Sequence, residues 1–315
     1  MNNRLIITGA HGMLGWAVQN RFKKDFELFC PTKNELNLEK EKEVYEYFMD
    51  IMPGGVIHLA AKVGGVLDNI KHPVDFFEKN VRININVLRS SFEACADKVI
   101  SVMSTCVYPN NANIPLIESD MHGGSPHFSN YGYAYAKRML DIQSKAYRDQ
   151  YGRNFITVIP NNIYGINDFY GDGCHVIPAL MKRIHMAKSL DLPYVIIWGT
   201  GKCLREFTLS DDIAECISNV YDLYNEDEPI NIGNPSEISI KELVGKLVNI
   251  IGYKGEIKWD LSKPEGQFRK PSNIQKYKKI VEYKRKVIFN DIDDGLRKTY
   301  EWFEKKYPNV RGVLL

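Results

Sequence analysis

Along the first half of the chain, short apolar runs rich in β-branched residues alternate with stretches whose apolar positions recur at helical spacing. Residues 4–8, 27–30, 56–59, 99–104 and 155–159 read as strands, with amphipathic segments between them. These runs are apolar at consecutive positions, the pattern of strands buried on both faces. They predict a parallel, doubly wound sheet with helical crossovers. Two of the helical segments, 75–96 and 133–151, are unusually long, and their length points to packing against a partner subunit in a homodimer.

After about Pro160 the pattern loosens into loops marked by Gly and Pro, returning to a strand at 195–197 and a helix at 209–224. This predicts a second lobe woven from discontinuous pieces. The stretch 254–290 carries Lys263-Pro264-Glu265-Gly266 and a basic run, and a last amphipathic helix ends near Lys306. No internal repeat is found. The expected division is residues 1–160 with parts of 206–232 and 289–310 as a nucleotide-binding domain, and 161–205 with 233–288 as a substrate-binding lobe.

Composition changes this picture little. Apolar residues make up 44% and charged residues 25% of 315, as in ordinary globular chains. A formal charge of +2 argues against a nucleic-acid or membrane partner, although local basic clusters remain able to hold an anionic ligand. Six scattered cysteines form no C-x-x-C pair and no zinc-like spacing with histidine, so neither a disulfide framework nor a metal site is expected. The chain opens Met1-Asn2-Asn3-Arg4 directly into a strand, from which a cytoplasmic, reduced protein is expected.

Candidate chemistry starts at the first strand. Gly9-Ala10-His11-Gly12-Met13-Leu14-Gly15 follows it at once and opens a helix, the context in which spaced glycines bring backbone N–H groups to a pyrophosphate. The expected fold is therefore α/β of the Rossmann type. At the end of the second strand, where NAD sites usually carry an acid, the chain reads Cys30-Pro31-Thr32-Lys33-Asn34. Lys33 suits a 2′-phosphate, which favours NADP(H) over NAD(H); a solvated loop lysine is the plain alternative.

Tyr133 and Lys137 stand one helical turn apart. A phenol of ordinary pKa near 10 needs an adjacent cation to exchange protons near neutrality, and Lys137 offers one. Among 18 tyrosines such a spacing arises by chance. Its value comes from Ser104 at the end of the fourth strand, whose hydroxyl can polarise a carbonyl that Tyr133 protonates.

The glycine loop, the Ser104, Tyr133 and Lys137 set, and His58-Leu59-Ala60-Ala61 together resemble the extended short-chain dehydrogenase/reductases over nearly the whole chain. Five further segments resemble that family's GDP-sugar epimerase/reductases. They are Ala61-Lys62-Val63-Gly64-Gly65, Ser104-Thr105-Cys106-Val107-Tyr108-Pro109, Tyr133-Ala134-Tyr135-Ala136-Lys137-Arg138, His175-Val176-Ile177-Pro178-Ala179-Leu180 and Trp198-Gly199-Thr200-Gly201.

The resemblance implies a GDP-linked 4-keto-deoxysugar whose C3 and C5 are inverted by Cys106 and His175 and whose C4 is then reduced with NADPH. The 4-keto group acidifies the flanking C–H bonds, so a thiolate and an imidazole suit the exchange. It also implies that Leu59, Ala60, Ala61, Pro160 and Asn162 line the cofactor. On the substrate side it implies Asn162, Val176, Arg183, Trp198, Arg205, Arg269 and Lys270, the guanidinium groups being suited to a diphosphate. Two positions depart from the pattern, Lys33 and His11, where arginine is frequent. The loop 111–129 is expected to border the sugar, which leaves a GDP-4-keto-heptose open. Other readings are a reductase that does not epimerise, a 4-epimerase or dehydratase that retains NAD, and a cofactor-binding regulator.

Overall fold

The structure, a computed structural model, describes residues 2–263 and 267–313, so Pro264-Glu265-Gly266 lie outside the described residues. Its centre is a six-stranded sheet built from β1 (Arg4–Thr8), β2 (Glu27–Phe29), β3 (Gly55–His58), β4 (Lys98–Val102), β5 (Asn154–Pro160) and β9 (Ile230–Ile232). Every neighbouring pair is parallel and the spatial order is β2-β1-β3-β4-β5-β9. The α/β, doubly wound Rossmann-type expectation describes this sheet.

Strand alternation explains why both faces are apolar. Leu5 and Ile7 point into one core with Ala17 and Val18 of α1 (Met13–Phe22) and Ile213 and Ile217 of α7 (Ser210–Leu223). Ile6 between them points into the other core. There it meets Val44 and Phe48 of α2 (Glu41–Ile51), Val87 of α4 (Pro73–Glu93) and Leu140 of α5 (Tyr131–Tyr151). Short α3 (Val66–Lys71) precedes α4, whose first turn begins at Pro73, where a missing N–H costs nothing. Gly152, at φ 65°, ends α5. Buried Lys98, an odd residue for a central strand, donates to the carbonyls of Val220, Tyr221 and Tyr224 and to Asn225 Oδ1, satisfying the open end of α7.

The rest of the chain forms two small sheets. In one, β8 (Leu204–Leu209) lies between β6 (Asn162–Tyr164), parallel to it, and β10 (Glu237–Ser239), antiparallel. In the other, β7 (Tyr194–Trp198) runs parallel to β11 (Glu256–Asp260). Helix α6 (Val176–Ser189) and α8 (Ile240–Ile251), which starts on a Ser239/Glu242 capping box, bury Leu180, Ile184, Leu243 and Leu247 in a separate core.

Leu296, Tyr300 and Phe303 of α10 (Ile292–Lys306) belong to this second core, beside Tyr170 and His185. The expected division gives parts of 289–310 to the nucleotide-binding domain; the apolar stripe of α10 lies on the core beside the two small sheets. Its apolar stripe is legible, but a stripe does not name the surface that covers it. A short turn, α9 (Gln275–Tyr277), returns Tyr277 to the first core. Among the described residues no helix is long and apolar enough to cross a membrane.

Candidate active site

Chain direction around the sheet reverses between β1 and β3, and loops from the two strand ends meet there, the position at which such sheets bind ligands. Gly9 has φ +69°, and a Cβ on it would meet Ala60 N at 2.8 Å. At Gly15 a Cβ would strike the Gly9 carbonyl and lie 2.5 Å from Ala10 Cα. Gly12 N donates to Gly9 O at 3.0 Å, and Gly12 caps α1 without any side chain to accept from its first turn. The three glycines thus keep the turn tight, the approach open and the helix against the strand. This cradle of free N–H groups fits a dinucleotide pyrophosphate. Met13 and Leu14 open α1, and Leu59, Ala60 and Ala61 stand half-buried at the end of β3.

At the second strand, His11 Nε2 lies 3.0 Å from Cys30 O, and Lys33 is exposed. Glu35 escaped the sequence reading. Its carboxylate accepts from Thr32 N at 2.7 Å, and that bond, more than the nearby His11, holds its pKa below the usual value. The signal was an acid two residues past Lys33, beyond the expected strand end.

Buried His58 shows how β1 and β3 are joined to α5. Its Nδ1 lies 2.7 Å from Thr8 Oγ1 and its Nε2 3.1 Å from Asn84 Oδ1, while Asn84 Nδ2 donates to Ala136 O at 2.8 Å. Asn84 Oδ1 can only accept, so this network assigns the ring proton to Nε2, with Nδ1 accepting from Thr8. Burial, and then the positive charge of Lys137, push the ring pKa down to about 3, which keeps the imidazole neutral. One chain of hydrogen bonds therefore spans β1, β3, α4 and α5.

Helix α5 presents Tyr133 and Lys137 next to this network. Lys137 Nζ donates to Val102 O at 2.9 Å, and burial lowers its pKa to about 8. Tyr133, whose ring stands edge-on to Phe76 with centroids 6.4 Å apart, has its pKa raised by burial and secondly by Cys106. The expected downward pull of Lys137 on the phenol does not prevail here. The ammonium is turned to a carbonyl, and removing both groups from water opposes the charged form of each.

Ser104 begins the turn after β4 and its Oγ accepts from Cys106 N at 3.4 Å, which fixes the backbone of the turn that carries the thiol. Lys270 joins them from the far end of the chain. Its pKa is lowered by burial and by Arg205, while Cys106 acts in the opposite direction. Cys106 thus acts on the charges of both Tyr133 and Lys270, and Arg205 on that of Lys270. Arg205 donates to Leu204 O at 2.7 Å.

The other expected residues stand as follows. Arg183 stands over the Trp198 ring, 5.6 Å from its centroid, and donates to Ile196 O. His175 caps α6 and is exposed, with Val176 following it. Pro160 is buried at the end of β5; Asn162 is exposed but spends its amide on Glu206 O at 2.8 Å. Arg269 is not brought to Lys270's side of the loop: it pairs with Glu237 through Nε at 2.9 and 3.0 Å.

What holds Lys270 in reach was missed. Buried Glu206 accepts from Ser272 N at 3.1 Å and from Ser272 Oγ, and Asn161 Nδ2 lies 3.4 Å away. No local pattern announces a bond between residues 66 positions apart.

This arrangement defines a nucleotide-binding α/β enzyme class. The chain belongs to the NAD dependent epimerase/dehydratase family, whose model matches residues 5–233. It is 36% identical to a GDP-L-fucose synthase of Dictyostelium discoideum, covering 98% of this chain and 97% of that one. A GDP-L-fucose synthetase from Naegleria fowleri bound to NADP matches with a TM-score of 0.91 at 31% identity, covering 98% of this chain and 95% of the other. A GDP-mannoheptose C4 reductase from Campylobacter jejuni with NADP bound matches with a TM-score of 0.87 at 30% identity, covering 96% and 98%.

Proposed function

We propose that the chain reduces the C4 ketone of a GDP-linked 4-keto-deoxysugar with NADP(H), after epimerising C3 and C5, which is a GDP-L-fucose synthase activity. The observation that carries the reading is that Cys106, whose backbone N–H donates to Ser104 Oγ after β4, acts electrostatically on both Tyr133 and Lys270. A reductase alone needs the hydroxyl and the phenol; a thiol at the same place adds a group able to take a C–H proton.

Gly9, His11, Gly12, Met13, Leu14, Gly15, Leu59, Ala60, Ala61, Lys137, Pro160 and Asn162 hold the cofactor in this reading, with Lys33 at its 2′-phosphate. NADPH supplies the hydride for C4. Ser104 polarises the ketone and Tyr133 gives the O4 proton. Before that, Cys106 and His175 act as base and acid on C3 and C5, removing a proton from one face and returning one to the other. Lys270, Arg205, Arg183 and Trp198 receive the nucleotide, and the second core carries them as a sugar-binding lobe.

A second reading, reduction without epimerisation on a GDP-4-keto-heptose, is favoured by the similarity to the heptose C4 reductase. Turnover of the 4-keto-6-deoxymannose substrate in D₂O separates the two. The epimerase reading expects deuterium at C3 and C5 of the product, and ring carbons free of solvent deuterium overturn it. Cys106→Ser is expected to cut that exchange by roughly 10²–10⁴-fold, far more than it slows reduction of an already epimerised ketosugar.

We further propose a homodimer through α4 and α5. Val74, Phe77 and Ile85 on the first and Tyr131, Tyr135 and Ile142 on the second are exposed, and large apolar side chains gathered on two packed helices suit a partner.

A further inference from the structure

The loop that joins β6 to α6 ends at His175 and is clamped from two sides. Asn167, in the left-handed conformation at φ 65°, donates through Nδ2 to His11 O of the glycine loop at 3.1 Å. Its own carbonyl accepts from the Arg311 guanidinium at 3.0 Å, and Tyr170 N donates to Arg311 O at 2.7 Å. The next residue, Asp168, is only 5% exposed. Its Oδ1 accepts from Phe169 N at 2.7 Å, whereas its Oδ2 is buried with no partner.

An unpaired buried carboxylate oxygen is costly and rare enough to need a reason. Burial pushes the Asp168 pKa up to about 6; His175 is the strongest influence against that rise, ahead of the Phe169 N–H and Arg311. Tyr170 and Cys174 face the same carboxyl, and it helps to raise the pKa of each. Two exposed neighbours carry N–H groups, Arg311, which already donates to Asn167 O, and His175 at the end of the same loop.

We propose that Asp168 is a positioning residue for His175, its free Oδ2 accepting one imidazole N–H so that the other ring nitrogen is turned to the sugar. This rests on the reading that His175 is the acid of the epimerisation. The nitrogen facing the sugar delivers its proton to the ring carbon, while the nitrogen on Asp168 keeps its own, so no proton passes to the carboxylate. An ionised Asp168 selects this tautomer and favours the imidazolium that gives up the proton. Because Asn167 also holds the glycine loop, the same clamp ties the placement of His175 to the cofactor side of the site.

The test is deuterium exchange at C3 and C5 in D₂O as a function of pH, for the wild-type chain, Asp168→Asn and Arg311→Met, with NADPH affinity measured on each to report the fold. Wild-type exchange is expected to rise with pH through about 6 as Asp168 ionises. Asp168→Asn keeps the shape and is expected to lose roughly 10- to 100-fold in exchange and to lose that limb of the profile, while reduction of an epimerised ketosugar changes much less. Arg311→Met, which removes a charge that favours the carboxylate, is expected to move the limb to higher pH. Equal exchange and an unchanged profile in both variants overturn the inference. Absence of exchange in the wild-type chain overturns instead the epimerase reading on which it rests.

Discussion

The proposed cofactor side and the proposed sugar side of this site are built in opposite ways. Around the glycine loop, the residues that shape the cradle lie within 52 positions of one another, from Gly9 to Ala61, and their contacts are backbone against backbone. On the sugar side, Cys106 acts electrostatically on Lys270, whose loop is held by a bond from Ser272 N to Glu206. The first is a rigid turn that admits almost no side-chain change. The second is an assembly of distant segments, each adjustable by itself.

Breaking the cradle is expected to have the largest effect. Gly15→Ala puts a methyl group against the Gly9 carbonyl and Ala10 Cα, neither of which can move as a side chain does. NADPH affinity, followed by fluorescence titration, is expected to fall by roughly 100-fold or more, about 2.8 kcal/mol. Retained affinity would mean that the cradle is less rigid than its geometry.

Loosening the sugar side sharpens the contrast. Glu206→Gln replaces an acceptor by an amide whose NH₂ confronts Ser272 N, so one hydrogen bond is lost in a buried place. The cost is expected to be about 1–3 kcal/mol. It should appear in thermal unfolding and as a raised KM for the nucleotide sugar, with NADPH affinity nearly unchanged. A uniform loss of both affinities would show that the two sides act as one unit. The smallest effect on turnover is expected for Ile142→Glu, exposed on α5 and away from both sides. It should shift sedimentation from dimer to monomer; a wild-type chain that sediments as a monomer would overturn the proposed assembly.

Much of the fold was legible because it is local. Continuous apolar runs mark strands covered on both faces, and their ends in the structure fall within one or two residues of expectation, as at Glu27–Phe29 and Gly55–His58. The glycine loop was legible for the same reason, since Gly9 and Gly15 answer to steric demands of one turn. Less visible were β6, β8 and β10, three- and six-residue strands whose pairing joins residues 162–164, 204–209 and 237–239. So was the surface covered by α10, whose stripe of Leu296, Tyr300 and Phe303 packs on the core beside the two small sheets.

By itself, then, the sequence determined the parallel sheet, the dinucleotide cradle and the residue types available for proton transfer, because each follows from periodicity or from spacing inside one element. Tertiary structure alone decided which groups share an environment. It turned Lys137 to a carbonyl instead of the phenol, kept His58 neutral within a chain of hydrogen bonds, drew Arg269 to Glu237, and left one oxygen of Asp168 unpaired near His175. The physical reason is that burial and charge act through space, and at a buried site they override what a residue's neighbours in the chain would suggest.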